Sequence, residues 1–305
     1  MPLHPYLQLI RLDRPSGLYA FYLPHLIGLA FAGATSPVLI PPSLLLRTTL
    51  LFLPFCVLLR GSTCAWNDNV DQDFDRQVAR CKNRPIARGA VTSLEGHGIT
   101  VVLAGMGWGM LGLWPRECRG VMLVVYLLFM AYPFGKRFTH YPQLILGFPF
   151  AGAIVFACYT VGVDPFAEGR GGATGYLCGA NVVWTMIYDT IYAHQDLEDD
   201  VKAGVKSMAV RFRGETKTLC TVLGAVQVGC SVRVGVIGGF GWAYYLIGCI
   251  GTAITLAAMV VLVDLKKPES CAWWFYTNFW LVGGTMVAGL MVEYCQQHYE
   301  ELFLS

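Results

Sequence analysis

The sequence predicts an all-α protein that forms a multi-pass membrane helix bundle. Hydrophobic residues make up 55% of the 305 residues and charged residues only 14%, whereas an average soluble domain carries about 25% charged residues. The mean hydropathy is +0.51, and the apolar residues are grouped in long runs. Because backbone polar groups in lipid must be paired within the chain itself, we expect these runs to be helices.

Nine apolar runs approach the roughly 20 residues that a helix needs to cross a bilayer. They are, in chain order, Leu18–Ala34, Leu50–Trp66, Leu94–Trp114, Gly120–Phe134, Leu144–Gly162, Gly175–Ala193, Thr218–Gly235, Tyr244–Val263 and Ala272–Met291. The runs are too long and too uniformly apolar for barrel strands. Because no linker or second soluble segment separates them, residues 1–305 are predicted to form a single integral-membrane domain.

The distribution of positive charge predicts the orientation of this bundle. When the N-terminus is placed in the cytosol, 16 of the 22 lysines and arginines fall in cytosolic segments and five fall on the other side. This bias follows the positive-inside rule and puts the acidic clusters described below on the cytosolic face. The first residues lack an Arg- and Ser-rich amphipathic leader, which favours an endomembrane over a mitochondrial location. No basic run suggests nucleic acid, and no obligate protein partner is evident; the expected surroundings are membrane lipid.

Two acidic clusters each stand at the end of an apolar run, and together they hold nine of the 20 acidic residues. In the first cluster, Asp68, Asp71 and Asp75 are spaced i, i+3 and i+7, so an α-helix would place them on one face. Asn67 lies beside that face and adds an amide oxygen. Asp73 points elsewhere and is expected to face solvent.

The second cluster repeats the pattern. Asp189, Asp196 and Asp200 are spaced i, i+7 and i+11, again on one helical stripe, and His194 falls off it as an expected packing residue. Carboxylates crowded this closely repel one another unless cations bind among them. Mg²⁺ prefers oxygen ligands and readily adds substrate phosphates to its shell, so the two stripes together predict a site for magnesium and phosphate.

Basic residues accompany both clusters. They are Arg76, Arg80, Lys82, Arg84 and Arg88 after the first cluster, Lys202 and Lys206 after the second, and Lys136 and Arg137 at the end of the fourth run. The positive-inside rule alone explains any one of them. A diphosphate site, however, needs both metal-holding carboxylates and cationic donors, and the sequence supplies that combination.

Arg60 is a charged residue deep inside an apolar run. A charge at that depth costs about 2.5–3.5 kcal/mol on insertion scales, which makes it a functional candidate. Arg60 lies seven residues before Asn67 and eleven before Asp71, so on a continuous helix all three share a face. Two interpretations remain open: the guanidinium clamps a substrate carboxylate, or it forms an ion pair with an acidic residue on another helix.

The motifs quoted above resemble those of a known family. The first cluster, continued by Asn83-Arg84-Pro85 and Gly89, and the second, continued to Ser207, resemble the two signatures of the UbiA-type intramembrane aromatic prenyltransferases. Arg11-Leu12-Asp13-Arg14-Pro15-Ser16-Gly17 resembles their N-terminal segment, and Tyr132-Pro133-Phe134-Gly135-Lys136-Arg137 resembles the end of their fourth helix. The likeness is closest to the 4-hydroxybenzoate polyprenyltransferase branch, which includes fungal enzymes of meroterpenoid biosynthesis.

This resemblance implies about nine transmembrane helices around a central cavity open to lipid, where Mg²⁺ joins both motifs to an isoprenyl diphosphate. The implied metal ligands are Asn67, Asp68, Asp71, Asp75, Asp196 and Asp200. The implied substrate contacts are Arg60, Asn67, Arg84, Lys136 and Lys202, with Arg60 taking the carboxylate of the acceptor. Asp189 would be either a metal ligand or the base that draws the phenolic proton.

The implied reaction is the transfer of a farnesyl or longer isoprenyl group to a ring carbon of a phenolic aromatic acid. The acceptor would be 4-hydroxybenzoate or an orsellinate-type polyketide, in quinone or meroterpenoid biosynthesis. Two alternatives stay open at this point. One is a multi-pass transporter with intramembrane acidic sites, although transporters place such sites near the midplane. The other is a UbiA-family enzyme with a non-benzoate acceptor.

Overall fold

The computed structural model describes residues 4–14 and 16–303, and within them it contains sixteen α-helices and no β-strand. Pro15, which belongs to the N-terminal motif quoted above, lies outside the described residues. The helices are α1 His4–Leu9, α2 Ser16–Thr35, α3 Pro42–Val70, α4 Gln72–Asp75, α5 Ser93–Met110, α6 Glu117–Phe138, α7 Pro142–Thr160, α8 Gly171–Ala193, α9 Leu197–Ala203, α10 Met208–Arg211, α11 Thr216–Gly238, α12 Trp242–Tyr244, α13 Gly251–Leu262, α14 Pro268–Asn278, α15 Gly284–Gln297 and α16 Tyr299–Phe303. The prediction of an all-helical protein is confirmed.

Each of the nine predicted runs corresponds to a long helical segment, and in the described part of the chain eight of these segments are long and apolar enough to cross a membrane. The ninth is α8, whose 23 residues span about 35 Å. α8 packs between α7 and α11, and its Asn181, Thr185 and Thr190 are completely buried. These polar residues are covered by protein on both sides of the helix. α8 can therefore be less apolar than helices that face lipid.

Several helix boundaries differ from the predicted runs. α3 begins at Pro42, a residue that is well tolerated in a first helical turn, and continues beyond Trp66 to Val70. Asn67 and Asp68 therefore lie on its last turn. Two other spans, α12–α13 and α14–α15, are interrupted by π-helical turns at Tyr245–Ile250 and Phe279–Gly283, which the apolar pattern did not predict.

A packed aromatic core fills the half of the bundle that lies away from the acidic motifs. The rings of Phe55 and Phe156 stack with centroids 5.2 Å apart, and Trp114 meets each of them edge-on at 5.4 Å. His25 and Phe52 complete this core, and all five side chains are buried. The acidic motifs thus stand at one end of the bundle, and the core closes the other.

A candidate active site at one end of the bundle

Both acidic motifs meet in one cavity of about 310 Å³ between α2, α3, α6, α7, α8 and α14. Its lining includes nearly all of the residues that the sequence suggested for the site: Arg60, Asn67, Asp68, Asp71, Asp75, Arg84, Lys136, Asp189, Asp196 and Asp200. Residues more than 100 positions apart therefore face the same space. Lys202 is not brought there. It lies on the outer side of α9 with its side chain 74% exposed, 4.0 Å from Asp199.

Neither acidic stripe lies on one continuous helix, as the spacing alone suggested. α3 ends at Val70, because Asp71, with φ of −92° and ψ of 3°, leaves the helical region, and α4 then carries Asp75. In the second motif, a 3₁₀ turn at His194–Asp196 separates α8 from α9. These breaks turn the later carboxylates back over the cavity, so all six aspartates still line it. Asp73 faces solvent, as predicted, and pairs with Arg76.

The carboxylates of the cavity are paired with basic side chains of the same chain. Arg84 Nη1 lies 2.8 Å from Asp75 Oδ2 and 3.3 Å from Asp68 Oδ1. Arg11 Nη2 also contacts Asp68, at 2.6 Å, and Lys136 Nζ lies 2.5 Å from Asp71 Oδ2. These are charge-assisted hydrogen bonds of the strong type. Cations that could bind phosphate are therefore held within reach of the acidic groups.

A second feature of the cavity is a pair of buried oxygens without hydrogen-bond partners, Asn67 Oδ1 and Asp71 Oδ1. Buried oxygens normally have a hydrogen-bond partner, so each of these two is a candidate atom for binding a ligand. Among the described residues, no three His, Cys, Asp or Glu side chains already stand close enough to form a metal cluster. The donor set is nevertheless composed of carboxylate and amide oxygens, which fits Mg²⁺.

Burial changes the acidity of two of these aspartates. It raises the pKa of Asp75 to about 6, although the charge of Arg84 opposes the shift. The pKa of Asp200 is likewise raised to about 6, by burial and by the neighbouring charge of Asp196. In both cases taking the carboxylate out of water disfavours its charged form. Extra positive charge in the cavity would therefore be strongly stabilised by these groups.

Arg60 is buried in the wall of the cavity and binds the N-terminal segment. Its Nη1 donates to the backbone carbonyl of Arg11 at 3.0 Å, and its Nη2 donates to that of Arg14 at 2.6 Å. Gly17 lies against the guanidinium so closely that a Cβ at this position would be 2.7 Å from Nη2. The ion pair with another helix that the sequence left open is not formed among the described residues, because main-chain carbonyls take its place.

Three basic residues that line the cavity, Arg11, Arg14 and Arg80, were not predicted as site residues from the sequence pattern. Arg80 binds Asp196 through Nε and Nη2 and donates from Nη1 to the hydroxyl of Tyr192 at 2.8 Å. It stood in the predicted basic run, but the chain between α4 and α5 forms irregular turns. No helical spacing therefore distinguished Arg80 from its neighbours. His194 is a packing residue as expected, buried and hydrogen-bonded to Thr216.

Comparison with known proteins agrees with this arrangement of motifs. The profile of the UbiA prenyltransferase family matches residues 21–282. The chain belongs to the UbiA prenyltransferase family. Among the relatives of this UbiA-family protein, prenyltransferase ascA of Acremonium egyptiacum is 41% identical over 258 residues, which cover 85% of this chain and 76% of the relative. DMOA farnesyltransferase nvfB of Aspergillus novofumigatus is 36% identical over 296 residues, which cover 95% and 91%.

Solved UbiA structures share the fold. A UbiA homolog from Aeropyrum pernix K1 superposes with a TM-score of 0.71 at 20% identity, over 90% of this chain and 97% of the homolog. A UbiA homolog from Archaeoglobus fulgidus, bound to GPP and Mg²⁺, gives a TM-score of 0.64 at 18% identity, over 95% and 99%. The predicted family and the multi-pass membrane architecture are confirmed. The protein is a prenyl-transferring enzyme, and the transporter alternative finds no support.

Proposed function

We propose that this enzyme transfers a farnesyl or longer isoprenyl group from its diphosphate to a ring carbon of a phenolic aromatic acid. The acceptor class is 4-hydroxybenzoate or an orsellinate-type polyketide, and the reaction takes place at the cytosolic face of an endomembrane. The observation that carries this proposal is the convergence of both acidic motifs and of Arg80, Arg84 and Lys136 on one cavity. A relative named as a farnesyltransferase and a neighbour that binds GPP with Mg²⁺ support the donor class.

The charged end of the cavity is the proposed diphosphate site. Asn67, Asp68, Asp71, Asp75, Asp196 and Asp200 would hold Mg²⁺ there. When bound, Mg²⁺ supplies positive charge that stabilises the departing diphosphate. Arg84 and Lys136, which pair with Asp75 and Asp71, would donate to phosphate oxygens once those carboxylates held the metal. The two partnerless oxygens, Asn67 Oδ1 and Asp71 Oδ1, fit this arrangement.

The transfer reaction does not require a covalent intermediate with the protein. The allylic C–O bond breaks and its electron pair leaves with the diphosphate. A ring carbon of the phenol then forms the new C–C bond, and the ring loses a proton. The protein must exclude water from the allylic cation, and the apolar half of the cavity serves that purpose. Its rings, among them Phe129, Phe150 and Tyr132, offer π faces to the cation.

We assign binding of the acceptor to Arg60 and removal of its proton to Asp189. Arg60 lies deeper than the aspartates, and its remaining N–H groups would bind the carboxylate of the acid. Asp189 lines the same cavity from α8 and is the candidate base for the phenolic or ring proton. Its alternative role is that of a further metal ligand.

The test is product analysis with protein reconstituted in lipid. Isoprenyl diphosphates of several lengths would be combined with a panel of aromatic acids, and the products would be identified by mass spectrometry. We expect a C-prenylated phenolic acid that forms with Mg²⁺ and disappears with EDTA. Prenylation of a haem or naphthoate acceptor instead of a benzoic acid would replace the acceptor class proposed here. Movement of substrate across the membrane without bond cleavage would argue for transport.

A further inference from the structure

The segment between α4 and α5 contains a tight turn at residues 78–82. The carbonyl of Val78 accepts hydrogen bonds from the backbone N–H groups of Cys81 and Lys82, each at 2.9 Å. Bonds of this kind close the main chain into a turn. Arg80 lies in the middle of it, and we call residues 78–82 the arginine turn. The place of Arg80 at the cavity therefore depends on what holds this turn.

The arginine turn has an inner and an outer side. Val78, Arg80 and Cys81 line the cavity, and the first and third of these are only 4% and 5% exposed. Ala79 is exposed and does not belong to the described lining. Contacts made at Ala79 therefore act on the turn from outside the cavity.

The backbone N–H of Ala79 bonds to a carboxylate that lies 120 positions away in the sequence. It donates to Asp199 Oδ2 at 2.8 Å. The other oxygen of this carboxylate, Oδ1, lies 4.0 Å from Lys202 Nζ, a distance too long for a hydrogen bond. Lys202 is also mostly exposed, and surface pairs of this kind contribute little. The bond to Ala79 is thus the stronger of these two contacts of Asp199.

Asp199 belongs to the second acidic motif but not to the cavity. Asp196 and Asp200 line the cavity, whereas Asp199 lines a groove on its outer side, together with Glu198 and Arg213. Its side chain is 30% exposed. This position separates Asp199 from the carboxylates that we assign to the metal.

The start of α9 holds the arginine turn at two points. Asp196, which directly precedes α9, takes the forked hydrogen bonds of the Arg80 side chain. Asp199, in the first turn of α9, takes the main-chain N–H of the residue before Arg80. One contact fixes the guanidinium and the other fixes the backbone that carries it. Together they restrict rotation of the turn relative to α9.

Only one of these two contacts uses a group of the proposed magnesium site. Asp196 is among the residues that would hold Mg²⁺, and Arg80 would donate to phosphate oxygens once that carboxylate held the metal. The bond between Ala79 and Asp199 lies outside the cavity and involves neither group. It can therefore keep the arginine turn in place while Arg80 changes partners.

We propose that Asp199 is a positioning residue that holds Arg80 at the diphosphate end of the cavity, a role that rests on the proposed function. Asp199 contacts neither the substrate nor the metal. It acts through the main chain of Ala79, and Arg80 then meets the phosphate at the correct distance without first having to be ordered.

The experiment measures donor binding without an acceptor, in full-length protein in lipid nanodiscs with Mg²⁺ and non-cleavable farnesyl thiolodiphosphate. Asp199→Ala should weaken binding roughly three- to tenfold, the scale of one lost hydrogen bond. Asp199→Asn keeps an oxygen that accepts from the Ala79 N–H and should recover most of the affinity. In an Arg80→Met background, Asp199→Ala should add little, because both changes act through the same side chain.

Hydrogen exchange of the Ala79 amide gives a readout that does not depend on the reaction. Exchange should be faster in Asp199→Ala and close to that of the wild type in Asp199→Asn. In the wild type the amide should stay protected when the thiolodiphosphate binds, which tests the role even where the alanine variant does not fold. Glu198→Ala, an exposed neighbour on α9, is the matched control and should change neither readout.

The outcomes separate this role from the proposed function. Additive effects of Asp199→Ala and Arg80→Met, or loss of Ala79 protection when the ligand binds, would overturn the positioning role alone. A higher Mg²⁺ requirement for binding in Asp199→Asn would also overturn it, because Asp199 would then be a metal ligand. A wild-type protein that does not bind the thiolodiphosphate would overturn the proposed function and this role with it.

Discussion

Arg80 connects the two acidic motifs through a forked ion pair with Asp196. Its Nε and Nη2 lie 2.8 and 2.5 Å from Oδ1 and Oδ2 of that carboxylate. Arg80 follows the first motif in the sequence, and Asp196 belongs to the second. The planar guanidinium therefore fixes both the distance and the relative orientation of the two halves of the site.

The first prediction concerns this connection. Arg80→Met should raise the KM for the isoprenyl diphosphate by roughly 10- to 100-fold, because a hydrogen bond to a charged group contributes about 1.5–3 kcal/mol. Steady-state kinetics with varied donor would measure it, and Arg80→Lys should restore only part of the loss. Arg76→Met is the matched control, since Arg76 pairs with the exposed Asp73 and such pairs contribute little. Equal effects of the two methionine variants would contradict the role of Arg80.

The second prediction concerns the metal. Asp71→Asn and Asp196→Asn should each lower kcat/KM by roughly 100-fold or more, the scale expected when a charge-stabilising group is removed from a closed site. The Mg²⁺ concentration for half-maximal activity should rise in the same variants. Asp73→Asn, in the same motif but 79% exposed, should behave like the wild type. Retained activity in the double variant of Asp71 and Asp196 would remove the magnesium site from this cavity.

The third prediction concerns pH. The pKa of Asp75 in the folded protein is about 6, above its ordinary value of 3.8, so the folded state binds this proton more readily than the unfolded state does. In metal-free protein, the stability that Asp75 contributes is therefore fully present below pH about 4 and is lost as the pH rises through about 6. Thermal unfolding between these pH values should show this slope, and Asp75→Asn should reduce it. Asp200 contributes in the same direction, so the Asp75 and Asp200 double variant should show the flattest profile; an undiminished slope there would count against both assignments.

The fourth prediction separates donor from acceptor at Arg60. Arg60→Gln should raise the KM for an aromatic acid by about tenfold or more while changing the KM for the diphosphate much less, because only the acid would lose a bidentate partner. The methyl ester of the same acceptor should be insensitive to the substitution. Hydrogen exchange of the N-terminal segment would report the second consequence, the loss of the bonds to Arg11 and Arg14. A matching increase in both KM values would leave Arg60 with the structural role alone.

The fifth prediction decides between the two roles of Asp189. As a base, Asp189→Asn should lower kcat by roughly 100- to 10,000-fold, the usual contribution of a positioned proton acceptor, with unchanged Mg²⁺ dependence. As a metal ligand, the same change should raise the Mg²⁺ requirement. Titration of activity with Mg²⁺ in the wild type and the variant distinguishes the outcomes, and unaltered kcat and Mg²⁺ dependence would exclude both.

The sequence predicted most of the fold for physical reasons, because apolar length is a strong signal in membrane proteins. The i, i+3 and i+7 spacing also grouped Asp68, Asp71 and Asp75, which line one cavity. The spacing could not predict where the helices break. α3 stops just before Asp71, and the 3₁₀ turn before α9 redirects the second motif. On α9, Lys202 lies two residues and about 200° around the helix from Asp200, so it faces outward while Asp200 lines the cavity.

The sequence pattern also could not predict the hydrogen-bond partners of the basic residues. Arg60 binds main-chain carbonyls, and the conformation that presents them includes a positive φ of 60° at Arg11. This conformation is uncommon outside glycine and has no signature in the side-chain pattern. Arg80 lies in irregular turns, where no periodicity relates one residue to the next. In both cases tertiary contacts select the geometry.

The polar character of α8 has a consequence for how the protein is made. A helix with buried Asn181, Thr185 and Thr190 partitions into lipid less readily than its neighbours, because amides and hydroxyls are costly in hydrocarbon. Its stable insertion should therefore depend on docking against α7 and on the later arrival of α11. Truncated chains that end shortly after α8 should insert this helix poorly into the membrane during biogenesis. Chains that also include α11 should insert it stably.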